Sequence, residues 1–254
     1  FALRKMGMTN IHKLSINQQL FTQTTHSPSL SDVVGTDWAQ KVTDFCFIAN
    51  PYYPDKQLLK EMQKQLPKVI KSYPSSNPAI AQQYLASVLK VNPEHLVIGN
   101  GATELITIIM REMVTQLAVP VPTFSEYIDK AVTEKSVKLY QLAGTNDYKL
   151  NLEHYSQWIK ENKIPSALII NPGNPTGDLL SLDSMFAFLD KNRHLEMVVV
   201  DESFIDFAGI EIPSLLHHVA KYPNLLIVRS MSKHCGMPGL RLGYCCTANK
   251  PFLA

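Results

Sequence analysis

Short apolar runs alternate with amphipathic stretches along most of this chain. From residue 44 onward the apolar runs are mostly continuous and rich in Val, Ile and Leu, which is typical of strands covered on both faces. They lie at residues 96–98, 117–121, 137–142, 167–170, 197–200, 225–228 and 240–246. The amphipathic stretches, which we expect to be helices, lie at residues 57–65, 79–89, 104–114, 152–162, 182–192 and 212–221.

Alternating strands and helices predict an α/β fold. We expect a three-layer α/β/α domain with a mostly parallel sheet at residues 44–250. Ligands of such sheets bind at the carboxyl ends of the strands. Residues 1–43 are polar and irregular, with Thr, Ser and Gln clustered around residues 22–31, so we expect an N-terminal arm or linker there.

Composition and charge exclude several classes of protein. The 254 residues are 45% hydrophobic and 18% charged, which excludes disordered and fibrous chains. The 24 basic and 22 acidic residues leave a formal charge of +2, which creates no field that would gather nucleic acid or an anionic membrane. No apolar run approaches the ~20 residues of a membrane span, and no signal peptide is visible. We expect a cytoplasmic protein without nucleic-acid or membrane partners.

The cysteine and histidine residues do not predict a metal site. Four cysteines occur, of which Cys245 and Cys246 are adjacent, and none has the paired spacing of a zinc site. This pattern favours a reducing compartment. The two adjacent histidines at residues 217–218 have no carboxylate or cysteine at ligand spacing, so we expect no metal. We expect His234 and Cys235 to be packing residues.

Lys233 lies after the apolar run at residues 225–228, in the segment RSMSKHCGMPGLRLGY of residues 229–244. Desolvation at a strand end, together with cationic neighbours, can lower the pKa of Lys233 enough for imine chemistry. Ser230, Ser232 and Arg241 supply hydroxyls and a guanidinium suited to a phosphate ester. A strand-end lysine considered alone is more often a solvated surface residue.

A carboxylate ends the run at residues 197–200. If it is buried, Asp201 needs a cationic partner, because an unpaired ion is costly inside a protein. A plain strand-end aspartate that caps the next helix is the alternative.

Two turns carry further polar groups. The segment INPGNPTG at residues 170–177 has two Asn-Pro pairs and two glycines, which force a rigid turn and fix the direction of its asparagines. The segment IGNGATEL at residues 98–105 combines a glycine turn with a helix start, where exposed amides can bind phosphate. Alternatively, Thr103 is an ordinary N-cap with Glu104 completing the first turn.

These segments resemble, in wording and order, those of fold-type I pyridoxal-phosphate enzymes of the aspartate aminotransferase superfamily. The closest in wording are histidinol-phosphate aminotransferases and threonine-phosphate decarboxylases. The matching strings extend over about residues 45–246. The resemblance implies the major domain of a PLP-dependent transferase, with pyridoxal 5'-phosphate as cofactor and a small amino compound as substrate.

The resemblance also implies residue roles. Lys233 would carry the cofactor as a Schiff base, and Asp201 would keep the ring nitrogen protonated. Asn174 would bind the cofactor 3-oxygen, and Phe124 would stack on the ring. The residues that would hold the cofactor phosphate are Gly101, Ala102, Thr103, Ser230, Ser232 and Arg241. Tyr73 resembles the tyrosine that reaches the phosphate of a neighbouring subunit, which implies a homodimer, and Asn50-Pro51 resembles a segment near the substrate entrance.

The reaction depends on which bond of the substrate α-carbon breaks. Loss of the proton leads to transamination, which we expect from the breadth of that class, and loss of the carboxylate leads to decarboxylation of a phosphorylated amino acid. Most aminotransferases of the family have Tyr where this chain has Phe204, and Phe is common in the decarboxylases. A C-terminal small domain, which in relatives supplies an arginine for the substrate carboxylate, does not follow Ala254, so we expect part of a longer protein. A non-catalytic module of a larger protein is the third hypothesis.

Overall fold

A seven-stranded mixed sheet lies at the centre of the computed structural model, which describes residues 47–209 and 211–253. The predicted arm at residues 1–43 lies outside this range. The strands are β1 (Leu96–Asn100), β2 (Leu117–Val121), β3 (Val137–Gln141), β4 (Ser166–Ile170), β5 (Met197–Asp201), β6 (Leu225–Ser230) and β7 (Leu242–Thr247). All seven predicted runs form strands. The last begins two residues later than expected, because Pro238–Leu240 forms a 3-10 turn and Arg241 has a left-handed φ of 54°.

The directions of the strands decide where the loops meet. The order in the sheet is β1-β7-β6-β5-β4-β2-β3. Strands β2 to β6 run parallel to one another, whereas β7 is antiparallel to both β6 and β1. Because β7 reverses the direction twice, β1 runs the same way as β6. Six strands therefore end at one edge, the carboxyl edge, and β7 begins there.

Both faces of the sheet are covered. Alternate residues of a strand point to opposite faces, so Ile169 of β4 belongs to one apolar cluster and Leu168 to the other. The helices are α1 (Lys56–Lys71), α2 (Ala79–Leu89), α3 (Ala102–Ile108), α4 (Glu126–Asp129), α5 (Leu152–Glu161), α6 (Leu182–Lys191) and α7 (Lys250–Leu253). Residues of α5 and α6 pack on one face, and residues of α3 pack on the other. This confirms the three-layer α/β/α prediction.

Local hydrogen bonds explain where helices begin. Asp55 caps α1 by accepting a hydrogen bond from the amide of Leu58, at 2.7 Å. This helix continues six residues beyond the predicted end and includes Pro67. Helix α3 begins two residues before the predicted start and continues through a π-helical turn at Ile109–Met113. None of the helices in the described range is long and apolar enough to cross a lipid bilayer.

The predicted helix at residues 212–221 is wrong. Only Leu216–Lys221 is helical there, as a 3-10 segment. Pro213 has no amide proton to donate, and the amide of Leu215 donates to the carboxylate of Glu202 at 2.8 Å. Because these contacts hold the chain before Leu216 in an irregular path, the apolar period there does not produce an α-helix.

Candidate active site at the carboxyl edge

The lysine singled out in the sequence lies in the loop that follows β6. The side chain of Lys233 is half-buried, and its ammonium lies 5.4 Å from the centre of the Phe204 ring. Burial lowers the pKa of Lys233, the carboxylate of Asp201 raises it, and the charge of Arg241 lowers it further. Since the net shift is downward, more of this amine is neutral and nucleophilic than in an exposed lysine.

The carboxylate of Asp201 is buried at the end of β5. Its Oδ1 accepts a hydrogen bond from the amide of Ser203 at 2.9 Å, and its Oδ2 accepts one from the hydroxyl of Tyr127 at 3.0 Å. Burial raises the pKa of Asp201, although both donors and the charge of Lys233 oppose the rise. Within the described residues, no cationic side chain donates a hydrogen bond to this carboxylate. It therefore caps a turn and not the helix of the alternative interpretation, and it can also accept a cation at the carboxyl edge.

Hydroxyls, a guanidinium and a glycine turn meet on the β1 side of the lysine. Gly101 has a φ of 77°, and a Cβ placed on it would lie 2.6 Å from Nη2 of Arg241. Nη1 of Arg241 donates to the carbonyl of Pro238 at 3.1 Å and lies 3.5 Å from Oγ of Ser232. The amide of Ser232 in turn donates to Oγ of Ser230 at 3.3 Å. The predicted phosphate-binding residues of the two segments therefore come together.

The first turn of α3 differs from a plain capped helix. Gly101 is the N-cap residue and supplies no side-chain cap, so Thr103 is not the N-cap. The carboxylate of Glu104 instead accepts a hydrogen bond from the amide of Asn100, at 2.7 Å. Gly243 of β7 lies against this turn, because a Cβ on it would overlap the backbone of Gly101 and Ala102. The glycine allows β7 and the start of α3 to approach closely.

The two asparagines of the turn after β4 have different surroundings. Asn171 is buried, and its Oδ1 accepts a hydrogen bond from the amide of Leu180 at 2.9 Å, which holds the turn in place. Asn174 is half-buried and lines a small cavity together with Pro120 and Ile170. Phe124, after β2, packs partly against the apolar cluster beneath α3. Asn174 and Phe124 thus lie after neighbouring strands that end at the carboxyl edge.

Tyr73 is not brought to the site within one chain. Its side chain is 101% exposed, just beyond the end of α1. Asn50, by contrast, contacts the lysine loop. Its amide donates to the carbonyl of Lys233 at 2.8 Å, and its Nδ2 donates to the carbonyl of His234 at 2.9 Å.

Sequence reasoning missed several polar residues of the site. Tyr127 is fully buried three residues after Phe124, and no local pattern distinguishes it from a core tyrosine. Oγ of Ser203 accepts a hydrogen bond from the amide of Ser230 at 3.1 Å, and this bond joins the ends of β5 and β6. His234, expected to be a packing residue, makes polar contacts instead: its Nδ1 lies 3.0 Å from Oδ2 of Asp206. Spacing along the chain could not show these contacts, because they form between separate loops.

The chemistry of these groups fits pyridoxal phosphate. A partly desolvated amine suits an imine, and a buried carboxylate without a cationic hydrogen-bond donor suits a protonated ring nitrogen. A guanidinium beside hydroxyls and a glycine turn suits a phosphate ester. In the described part of the chain, no group of three or more His, Cys, Asp or Glu side chains could hold a metal ion.

Comparisons with known proteins agree with this fit. Residues 40–254 match the family model "Aminotransferase class I and II". The chain is 36% identical over 215 residues to an L-serine phosphate decarboxylase of Campylobacter jejuni, covering 79% of this chain and 54% of that protein. It is 32% identical over 203 residues to a histidinol-phosphate aminotransferase of Leuconostoc citreum, covering 77% of this chain and 56% of that protein.

A solved structure shows the same fold. A decarboxylase from Sulfurospirillum multivorans superposes with a TM-score of 0.72 at 34% identity, covering 80% of this chain and 54% of that one. The chain therefore spans about half the length of the relatives that it matches.

Proposed function

Because this chain belongs to the class I and II aminotransferase family and its cofactor is pyridoxal 5'-phosphate, we propose that it is the cofactor-binding part of a decarboxylase of a phosphorylated amino acid. L-serine phosphate is the first candidate substrate. Its α-carboxylate would leave as CO2 and a proton would take its place, which yields ethanolamine phosphate. The observation that carries the proposal is the 36% identity to an L-serine phosphate decarboxylase, against 32% to a histidinol-phosphate aminotransferase.

The residues at the carboxyl edge have proposed roles in this reaction. When bound, the cofactor forms an imine with an amine and withdraws electrons from its α-carbon. Lys233 supplies the amine that anchors the cofactor and afterwards carries a proton to or from the substrate carbon. Asp201, oriented by Tyr127 and Ser203, keeps a proton on the ring nitrogen.

The remaining predicted residues position the cofactor. Arg241 and Ser232, together with Ser230 and the first turn of α3, hold its phosphate, supported by their contacts in the structure. Asn174 binds the 3-oxygen and Phe124 stacks on the ring.

Phe204 supports decarboxylation over transamination. Its ring is the aromatic surface closest to the ammonium of Lys233 among the cation–ring contacts of the described residues. A phenylalanine offers no hydroxyl to the lysine or to the cofactor 3-oxygen, whereas a tyrosine would. A lysine that makes no bond to a phenol is less firmly held for removing the α-proton, which is the step that transamination requires.

The first experiment measures which bond of the substrate breaks. The protein would be incubated with pyridoxal phosphate and L-serine phosphate labelled with ¹³C at the carboxyl group. We expect labelled CO2 and ethanolamine phosphate in equal amounts, and neither product with Lys233→Ala. L-threonine phosphate tests the tolerance for a larger side chain.

The aminotransferase hypothesis makes a different prediction for the same protein. It has support from the histidinol-phosphate aminotransferase relative. Under it, histidinol phosphate with 2-oxoglutarate would give glutamate, and the carboxyl label of L-serine phosphate would stay in the organic product. Imine formation at Lys233 without turnover of either substrate would instead support the non-catalytic hypothesis.

We also propose that two copies of the chain share their sites through Tyr73. Helix α1 has no buried residue and exposes Leu59, Leu66, Val69 and Ile70. An exposed apolar surface of this kind is typical of an interface. Tyr73 is fully exposed next to it, so its hydroxyl can reach a second copy.

Mixing two inactive variants tests this shared site. Tyr73→Ala and Lys233→Ala homodimers should each have little activity. After subunit exchange, half of the dimers are mixed and each mixed dimer has one intact site, so roughly a quarter of the wild-type activity should return. No recovery, in dimers shown to have exchanged, would exclude a shared site.

A further inference from the structure

The loop that carries Lys233 is joined to the end of the sheet by a close contact between a histidine and a carboxylate next to the lysine. Nδ1 of His234 lies 3.0 Å from Oδ2 of Asp206, and the two side chains are 37% and 20% exposed. At this separation a carboxylate attracts a ring N–H, and Nδ1 has no other polar partner among the described residues. Nε2 of the same ring lies 3.2 Å from Sγ of Cys235.

The carboxylate partner is itself anchored. Oδ1 of Asp206 lies 3.4 Å from Nη1 of Arg229, a buried residue of β6. Nη2 of Arg229 lies 2.8 Å from the buried carboxylate of Glu202, directly after β5. Burial raises the pKa of Asp206, but the contacts with His234 and Arg229 outweigh it, and the net shift is downward. Asp206 is therefore a fixed negative charge on the end of the sheet.

Few other contacts hold the backbone of residues 233–236. The carbonyl of Lys233 accepts hydrogen bonds from the amides of Asn50 and Gly236, at 2.8 and 3.1 Å, and the carbonyl of His234 accepts one from Nδ2 of Asn50 at 2.9 Å. Gly236 has a φ of 58°, and a Cβ on it would overlap the carbonyl of Tyr53. These contacts join the loop to residues 50–53, which are themselves a loop. The pair of Asp206 and His234 instead joins it to β5 and β6, the strands that carry Asp201 and Ser230.

We propose that the Asp206–His234 pair is a positioning device that holds Lys233 at the place where its amine meets the cofactor. The inference rests on the proposed role of Lys233 and deepens it. Among the described residues, no hydrogen bond or ion pair links the His234 side chain to the amine of Lys233. If the pair is lost, Lys233 is still present but its loop can shift. A displacement of about 1 Å can lower a reaction rate by up to about 100-fold.

The test compares three substitutions that change the contact between His234 and Asp206. In His234→Ala the donor is lost, whereas in His234→Asn the side-chain amide nitrogen occupies nearly the position of Nδ1. Asp206→Asn removes the charge of the partner. His217→Ala is the matched control, because that histidine is exposed and lies in the 3-10 segment before β6, outside the lysine loop.

The measurement is the rate at which Lys233 forms an imine with pyridoxal phosphate alone, trapped by borohydride and quantified on the Lys233 peptide. We expect about a tenfold or greater loss in His234→Ala and Asp206→Asn, recovery to near wild type in His234→Asn, and no change in His217→Ala. Hydrogen exchange of the amides at residues 233–236 should quicken in the two slow variants, while the midpoint of unfolding stays near that of the control.

Equal trapping rates in wild type and His234→Ala would overturn the proposal, as would an Asn variant no better than Ala. No amino acid substrate is used, so failure to decarboxylate leaves this result unaffected. If wild type formed no imine at Lys233, the proposed function would fail, and the exchange rates would still decide whether the pair holds the loop.

Discussion

The hydroxyl of Tyr127 donates a hydrogen bond to Oδ2 of Asp201 at 3.0 Å, between two residues that are both buried. The contact links the segment after β2 to the end of β5, and it holds one of the two carboxylate oxygens. Burial raises the pKa of Tyr127 well above its ordinary value, and the charge of Asp201 adds to the rise, so the phenol keeps its proton.

Tyr127→Phe should weaken cofactor binding. A hydrogen bond to a charged group contributes about 1.5–3 kcal/mol, so we expect about a 10- to 100-fold rise in the dissociation constant, measured by absorbance titration. The matched control is Tyr155→Phe, which removes another buried hydroxyl, bonded to the carbonyls of Ala118 and Leu168. Both variants should lose stability, and only Tyr127→Phe should lose affinity. Equal affinities in the two would contradict an orienting role.

The stability of the cofactor-free protein should fall with rising pH because of Asp201. Its pKa is raised in the folded state, so the folded protein holds a proton that the unfolded chain has released. The contribution is present below the ordinary value of 3.8 and is lost as pH rises through the raised pKa. Urea unfolding at several pH values should show this loss relative to Asp201→Asn. Saturating cofactor should reduce it, because a protonated ring nitrogen stabilises the carboxylate; a loss unchanged by cofactor would exclude that pairing.

Phe204→Tyr should change the outcome of the reaction. A phenol near the ammonium of Lys233 offers a hydrogen bond that the phenyl ring cannot, so we expect decarboxylation to slow by about tenfold, equivalent to about 1.4 kcal/mol, with more transamination product. Phe207→Tyr is the control, because its ring lies 6.5 Å from that of Phe204 and is 48% exposed. The ratio of CO2 to keto product measures the change. The same ratio in both variants would show that Phe204 does not influence which bond of the substrate breaks.

Gly243→Ala should disturb the phosphate side of the site. The added methyl group would overlap the backbone at the start of α3, which cannot move aside as a flexible side chain could. We expect a loss of about 1–3 kcal/mol of stability together with weaker binding of the cofactor phosphate, tested with inorganic phosphate as a competitor. Gly239→Ala, where a Cβ would meet nothing within 4 Å, should behave as wild type. Unchanged affinity in Gly243→Ala would mean that the start of α3 does not hold the phosphate.

The sequence by itself determined the layered fold and the family. The apolar runs mark all seven strands because strands covered on both faces need continuous hydrophobic side chains, a property of neighbouring residues. The motifs around Asp201 and Lys233 lie at strand ends, and parallel strands bring their carboxyl ends to one edge. The match of these motifs to the family is confirmed, and the cofactor with it.

Only the tertiary structure decided which groups meet across that edge. The apolar period at residues 212–221 predicted an α-helix, but the amide of Leu215 donates to the carboxylate of Glu202, 13 residues earlier and outside that segment. Tyr127 and Asp201 are 74 residues apart, and no local pattern relates them. The pairing of Asp206 with His234 likewise depends on how two loops are placed by β5 and β6. Periodicity reports which side of a strand or helix is buried, whereas a contact between loops depends on the path of the whole chain.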